Sequence, residues 1–74
     1  MREIFEKYYT VELFNQPDPH FRPDIKKLPG EFDTPEEART FAEPYWHEYD
    51  WVNNVTGNTC NWWEIRVLAH YRKI

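Results

Sequence analysis

The sequence predicts an α+β fold, in which one amphipathic helix packs on a small antiparallel sheet of two or three strands. Two stretches alternate apolar and polar residues with the period of a strand, and one central stretch has the period of a helix. A chain of 74 residues suffices for one domain with a modest core, so residues 1–74 are expected to form a single unit. Five Phe, five Tyr and four Trp supply much of the apolar area that such a core needs.

The first predicted strand covers residues 7–15, which are rich in the Val, Tyr, Phe and Thr that favour strands. Tyr9, Val11 and Leu13 fall on one side of it and are expected to face the core. Three prolines within residues 16–24 exclude a helix or a central strand and predict a stiff, extended connection. Residues 25–28 are expected to form a short strand that ends at the Pro29-Gly30 turn.

The clearest local signal is the start of a helix within residues 33–43. Thr34 is the expected N-cap, Pro35 occupies the first helical position, and Glu37 completes a capping box three residues after the cap. Apolar residues then follow at helical spacing and form one stripe, which consists of Ala38, Phe41, Ala42 and Tyr45.

Two continuations are open at Pro44, which lacks a backbone donor and disfavours a helical conformation for the residue before it. In the favoured continuation, the helix kinks at Pro44 and runs to about Tyr49. In the other, the helix ends at Glu43, and residues 45–52 form an extended arm that pairs with the last strand.

The last strand is predicted within residues 61–74, after a polar loop at residues 53–61. The side of this strand that is expected to face the core carries Trp63, Ile65, Val67, Ala69 and Tyr71. Its other side mixes charged residues with Trp62 and Leu68. Together with Tyr8 and Phe14 of the first strand, these two residues are expected to form an apolar patch on the open face of the sheet.

The net charge of −4 is concentrated in the middle of the chain, because residues 31–50 carry Arg39 as their only Lys or Arg. The carboxylates of this segment are Glu31, Asp33, Glu36, Glu37, Glu43, Glu48 and Asp50. On the helix, Arg39 is expected to pair with Glu36 and Glu43. Direct nucleic-acid binding is not expected, since it needs a basic stripe and the longest basic run here is Lys26-Lys27.

The chain offers little for catalysis or for a metal site. His20, His47, His70 and Cys60 do not lie at metal-ligand spacing, and the helix carboxylates are expected on a solvated face rather than in a cleft. We therefore expect no enzymatic activity, no cofactor and no metal. A lone cysteine and the absence of an apolar run after Met1 favour a cytoplasmic location without membrane contact.

The main functional prediction is a small acidic module that binds another protein. An acidic and aromatic face would dock on a basic surface, such as the nucleic-acid site of a partner, as an inhibitor or another accessory protein of a phage or microbe does. The residues expected to contact this partner are Glu36, Glu43, Trp46, Glu48, Tyr49 and Trp51. Trp62 and Phe14 form a second expected patch, which also suits a homodimer.

Two alternatives stay open from the residues alone. In the first, the protein is structural and assembles copies of itself through exposed sheet edges and an apolar sheet face. In the second, Trp and Tyr side chains line a pocket for a small ligand. A mass that depends on concentration would indicate the first, and a change of tryptophan fluorescence with a small molecule the second.

Overall fold

The computed structural model describes residues 4–74 and confirms the predicted α+β fold. In chain order the elements are β1 (Phe5–Asn15), β2 (Asp24–Lys27), α1 (Pro35–His47), β3 (Trp51–Val52), β4 (Thr59–Cys60) and β5 (Glu64–Lys73). The expectation that no apolar run follows Met1 concerns residues 1–3 in part, and these lie outside the described residues.

The main sheet has three antiparallel strands in the order β2-β1-β5, so that β1 is central. Val11 and Leu13 of β1 lie opposite Val67 and Ile65 of β5, so the sides predicted to face the core share one face of the sheet. Val11 and Leu13 are 2% and 0% exposed, because the helix covers this face of the sheet. β1 begins earlier than predicted, at Phe5 rather than at residue 7.

The helix begins where the capping signal predicts, since the Thr34 hydroxyl accepts a hydrogen bond from the Glu37 backbone N–H at 3.2 Å. It continues through Pro44 to His47, which confirms that the helix passes the proline and contradicts an extended arm from Tyr45. Pro44 has no N–H to donate to the Thr40 carbonyl. Both residues lie on the exposed side of the helix, where that carbonyl is open to water.

The helix ends somewhat before the predicted limit near Tyr49. A turn follows, in which the Tyr49 N–H donates to the Trp46 carbonyl and the Asp50 N–H donates to the His47 carbonyl. Trp51 and Val52 then pair with β4 rather than with the last strand.

The polar loop predicted at residues 53–61 is shorter than expected, because Thr59 and Cys60 form β4. Asn53 closes the loop, since its side-chain oxygen accepts hydrogen bonds from the Val55 and Thr56 backbone N–H groups. Its own N–H donates to the Asn58 carbonyl at 2.9 Å. Residues 51–60 therefore form a small second hairpin beside the main sheet.

The core lies between α1 and the sheet. Ala38 and Ala42 of the predicted helix stripe are fully buried, and their small side chains let the helix approach the sheet closely. With Val11, Leu13 and Leu28 they form the buried cluster. A ring of half-buried residues packs around this cluster and consists of Tyr9, Phe32, Phe41, Tyr45, Trp46, Tyr49, Trp63, Ile65 and Val67.

The prediction that Ala69 and Tyr71 belong to the core is wrong, since both are exposed and Tyr71 is 65% exposed. The reason is a mismatch of lengths. A helix of 13 residues is about 20 Å long, whereas a strand of 11 residues such as β1 is about 36 Å long. Residues 5–7 and 71–73 therefore extend past the helix as a two-stranded ribbon, which we call the ribbon end.

Thr34→Ala is expected to lower the free energy of unfolding by about 1 kcal/mol, because it removes the side-chain acceptor that caps the helix. Urea unfolding followed by circular dichroism measures this loss. Thr40→Ala is the matched control, since Thr40 is exposed within the helix, where alanine is the better helix former. Equal stability of Thr34→Ala and the wild type would contradict the capping role.

Candidate protein-binding site

Asn61 joins the end of α1 to the start of β5. Its side-chain amide donates to the Trp46 carbonyl and to a carboxylate oxygen of Asp50, both at 2.7 Å. Its side-chain oxygen accepts from the Trp63 backbone N–H at 2.8 Å. These contacts, which we call the Asn61 junction, fix the helix terminus, the following turn and the last strand relative to one another.

The second hairpin and the Asn61 junction together place two tryptophans side by side. Trp51 pairs with Cys60 in the antiparallel β3–β4 hairpin, and Trp62 follows Cys60 by two residues, so the two tryptophans are diagonal neighbours on one side of it. The hydrogen bond between the Asp50 and Asn61 side chains joins the adjacent pair of residues. The two indole rings lie nearly parallel, with an interplanar angle of 13° and 6.3 Å between their centroids. We call them the tryptophan pair.

The tryptophan pair lies at the surface and outside the buried cluster. Trp51 is 39% exposed and Trp62 is 63% exposed. Val52 and Val55 of the same hairpin are also exposed, which enlarges the apolar area. Leaving large apolar groups in water costs free energy, and tryptophan is the residue type most enriched among side chains that dominate protein interfaces. The pair is therefore the best candidate for a contact surface.

Two other predicted contact residues, Trp46 and Tyr49, serve packing in the structure. The Trp46 indole N–H donates to the Trp63 carbonyl at 2.6 Å, and the Tyr49 ring stacks on Trp63 with 4.3 Å between centroids. Both rings are half-buried against the core. They pack between the Asn61 junction and the core, and less of their surface is exposed to a partner than in the tryptophan pair.

The predicted carboxylates on and after the helix, Glu36, Glu43 and Glu48, are all exposed. The expected pairing of Arg39 with Glu36 and Glu43 is wrong, because within residues 4–74 no carboxylate lies within 4 Å of the Arg39 guanidinium. The charges of these three glutamates are therefore exposed to solvent or to a partner.

Asp50 differs from the helix carboxylates because it has fixed partners. The His47 imidazole lies 2.8 Å from its carboxylate, and this contact, followed by the Asn61 amide, lowers the pKa of Asp50 below its ordinary value of 3.8. A lowered folded-state pKa means that this contribution to stability is complete above the ordinary pKa. It is lost as the pH falls through the lower folded-state pKa.

The open face of the sheet differs from the predicted apolar patch. The Arg66 guanidinium lies 3.4 Å from the centre of the Phe14 ring, and the Arg72 guanidinium lies 4.5 Å from that of Tyr8. Trp62 is not part of this face, because it precedes β5 and stacks on Trp51 instead. The patch formed by Trp62 and Phe14 was therefore predicted wrongly: cross-strand arginines cover the aromatic rings of the face.

An open groove of about 480 Å³ runs between α1 and the start of β5. Its walls include Arg39, Glu43, Trp46 and His47 from the helix, with Trp63 and Ile65 on the other side. Among residues 4–74, no three His, Cys, Asp or Glu side chains are grouped so that they could hold a metal ion. Over the same residues, no helix has the length and apolar character needed to cross a membrane.

Asn61 and the contact between the two tryptophans are not among the predictions drawn from the sequence. Asn61 was assigned to a polar loop, where asparagine usually forms a local turn. The available signal was its position directly before Trp62 and Trp63, because a polar side chain that is partly buried with large rings needs hydrogen-bond partners.

Comparison with known proteins gives no relative for this chain: no family model matches it, and neither a curated protein nor a solved structure is significantly similar.

Proposed function

We propose that this protein is a small acidic module that binds another protein through the tryptophan pair. The exposure of two stacked indoles, held in place by the Asn61 junction, supports this proposal. A surface that is already ordered loses little conformational entropy on binding, so its apolar area contributes to affinity with a smaller cost. We propose no catalytic role.

The charge of the chain indicates the chemistry of the partner. The net charge is −4, and Glu36, Glu43 and Glu48 are exposed on α1 and just after it. Such a field accelerates encounter with a basic surface, and its effect falls as salt screens it. We propose a basic protein as the partner. One concrete form is an inhibitor of phage or microbial origin that occupies the nucleic-acid site of a cytoplasmic protein.

Replacing both indoles, in the variant Trp51→Ala/Trp62→Ala, is expected to reduce capture of basic proteins from a bacterial lysate by about tenfold or more. The reason is that truncation removes the apolar anchors of the proposed contact. Immobilised wild type and variant are compared by quantitative mass spectrometry of the retained proteins. The retained partner is expected to elute with salt and with competing DNA, because both remove the charge attraction.

Phe21→Ala is the matched control for this experiment. Phe21 is a large ring that is 67% exposed, and it lies in the proline-rich connection rather than in the second hairpin. This variant is expected to capture the same proteins as the wild type. Equal capture by the tryptophan variant and the Phe21 variant would contradict the proposed contact surface.

The contribution of charge is tested separately by neutralising Glu36, Glu43 and Glu48 to glutamine. The control neutralises three acidic residues elsewhere in the chain, namely Glu12, Asp18 and Asp24. Both variants change the net charge by the same amount. Loss of capture in the first variant alone supports docking of the helix carboxylates, whereas equal loss in both indicates only a general dependence on net charge.

A further inference from the structure

Among residues 4–74, β5 is an edge strand, because it pairs with β1 on one side and with no strand on the other. The Ile74 N–H donates to the Ile4 carbonyl at 3.0 Å, so the even-numbered residues of β5 direct their backbone groups toward β1. The odd-numbered residues direct theirs away from the sheet. Tyr9 agrees with this assignment, since it exchanges both hydrogen bonds with Phe32 on the opposite side of β1.

Three consecutive outward positions on this edge are Val67, Ala69 and Tyr71. Within residues 4–74, no backbone hydrogen bond joins their outward N–H and carbonyl groups to another segment. An edge of this kind is a template for pairing with a further strand.

The other edge of the sheet is protected against such pairing. β2 has four residues, lies between Pro23 and Pro29, and carries Lys26 and Lys27. Short length, proline and lysine are the features that commonly prevent edge-to-edge association. β5 has 10 residues and no proline. The sheet therefore has one edge that resists pairing and one that allows it.

We propose that β5 pairs antiparallel with β5 of a second copy, about a two-fold axis that passes beside Leu68. The two three-stranded sheets then form one continuous sheet. A two-fold axis normal to the sheet keeps the helix face of both copies on the same side. Outward odd-numbered residues then exchange backbone hydrogen bonds, and even-numbered residues form the non-hydrogen-bonded pairs, whose side chains lie closer together.

The charges on the open face favour this register. With Leu68 opposite itself, Glu64 of each copy faces Arg72 of the other, so opposite charges meet at two positions. Within its own copy Arg72 also contacts Glu6 and Glu31, and Glu64 contacts Arg66. The least favourable pair is Arg66 with His70. Moving the axis to Ala69 would place Arg66 opposite Arg72, and moving it to Val67 would remove the Glu64–Arg72 pairs. Leu68 is 38% exposed in one copy and would be buried against its equivalent.

The helix face favours the same register. Tyr71 of each ribbon end falls opposite Ile65 of the other copy, which lines the groove of about 480 Å³. Tyr71 is 65% exposed because its own helix does not reach it, and in the pair it lies beside the helix of its neighbour. Lys7 stands 5.6 Å from the Tyr71 ring and brings a positive charge toward Glu43 of the groove. Pairing thus covers the part of the sheet that one helix is too short to cover.

Sedimentation of the whole protein over a wide concentration range tests the proposal. The wild type is expected to form a dimer as concentration rises. Leu68→Lys is expected to raise the dissociation constant about tenfold or more, since it places like charges opposite each other at the axis. Ile25→Lys is the matched control, because Ile25 is 51% exposed on the β2 edge, and this variant should dimerise like the wild type. A wild type that stays monomeric, or a dimer lost only in the Ile25 variant, would overturn the proposal.

Cross-linking tests the register itself, in a Cys60→Ser background with oxidised glutathione as oxidant. A non-hydrogen-bonded pair has its Cα atoms about 4.5 Å apart, which suits a disulfide, so Leu68→Cys is expected to cross-link rapidly. Arg66→Cys places the two thiols four strand positions apart, about 13 Å, and should not cross-link. Cross-linking of the Arg66 variant without that of the Leu68 variant would refute the register. Neither experiment involves the proposed protein partner, so the two proposals fail independently.

Discussion

Leu13→Ala is expected to lower the free energy of unfolding by about 3 kcal/mol or more, the largest effect of any substitution considered for this protein. Leu13 is the largest fully buried side chain, with an exposed fraction of 0%. It lies opposite Ile65 and belongs to the same cluster as Ala38 and Ala42, whose short side chains cannot move to fill the space left by a truncated leucine. The loss therefore combines apolar transfer with an unfilled cavity.

A domain of this size gains only about 3–5 kcal/mol from a single core, so the Leu13 variant is expected to be largely unfolded at room temperature. Urea unfolding monitored by tryptophan fluorescence and far-ultraviolet circular dichroism measures this. Ile25→Ala is the control, since Ile25 is an apolar strand residue that is 51% exposed. It should cost less than about 1 kcal/mol. Similar losses for both variants would show that the assigned core is wrong.

Asn61→Ala is expected to have the second largest effect, a loss of about 2 kcal/mol in the free energy of unfolding. The substitution removes hydrogen bonds to the Trp46 carbonyl, the Asp50 carboxylate and the Trp63 N–H. It leaves the partly buried Trp63 N–H without its acceptor. The same variant is expected to bind the proposed partner more weakly, because Trp51 and Trp62 lose the contact that aligns their segments.

Asn54→Ala is the matched control for Asn61, since Asn54 is an exposed asparagine of the β3–β4 loop. It should leave both stability and partner capture close to those of the wild type. Urea unfolding and the lysate capture experiment are carried out on the same preparations. A stable Asn61 variant that still captures the partner would contradict the account of the Asn61 junction.

Those parts of the fold that depend on local rules could be predicted from the sequence. The cap at Thr34 and the stripe of Ala38 and Ala42 need only the spacing of a helix, and Val11 and Leu13 need only the alternation of a strand. The extent of the core could not be predicted in this way. Whether Tyr71 is covered depends on the length of the helix relative to the sheet. The alternation of a strand assigns Tyr71 to a face but says nothing about the length of the helix that covers this face.

The candidate site was predicted only in part, for a related reason. Trp51 and Trp62 were both chosen because exposed tryptophan is typical of interfaces, yet they were placed on different surfaces. Their contact depends on the pairing of β3 with β4, which sets Trp51 opposite Cys60, and on the hydrogen bond between Asp50 and Asn61 beside it. The covering of Phe14 by Arg66 likewise arises across two strands. Local patterns give residue types for a site, whereas contacts between segments decide which of them meet.

The central claim is that a protein partner covers the tryptophan pair. Hydroxyl-radical footprinting of the wild type, alone and with the captured partner, tests it most directly, because mass spectrometry reports the oxidation of each exposed ring. We expect strong protection of Trp51 and Trp62 in the complex, with Phe21 unchanged as the internal control. Unchanged oxidation of both tryptophans in a complex shown to be saturated would contradict the claim.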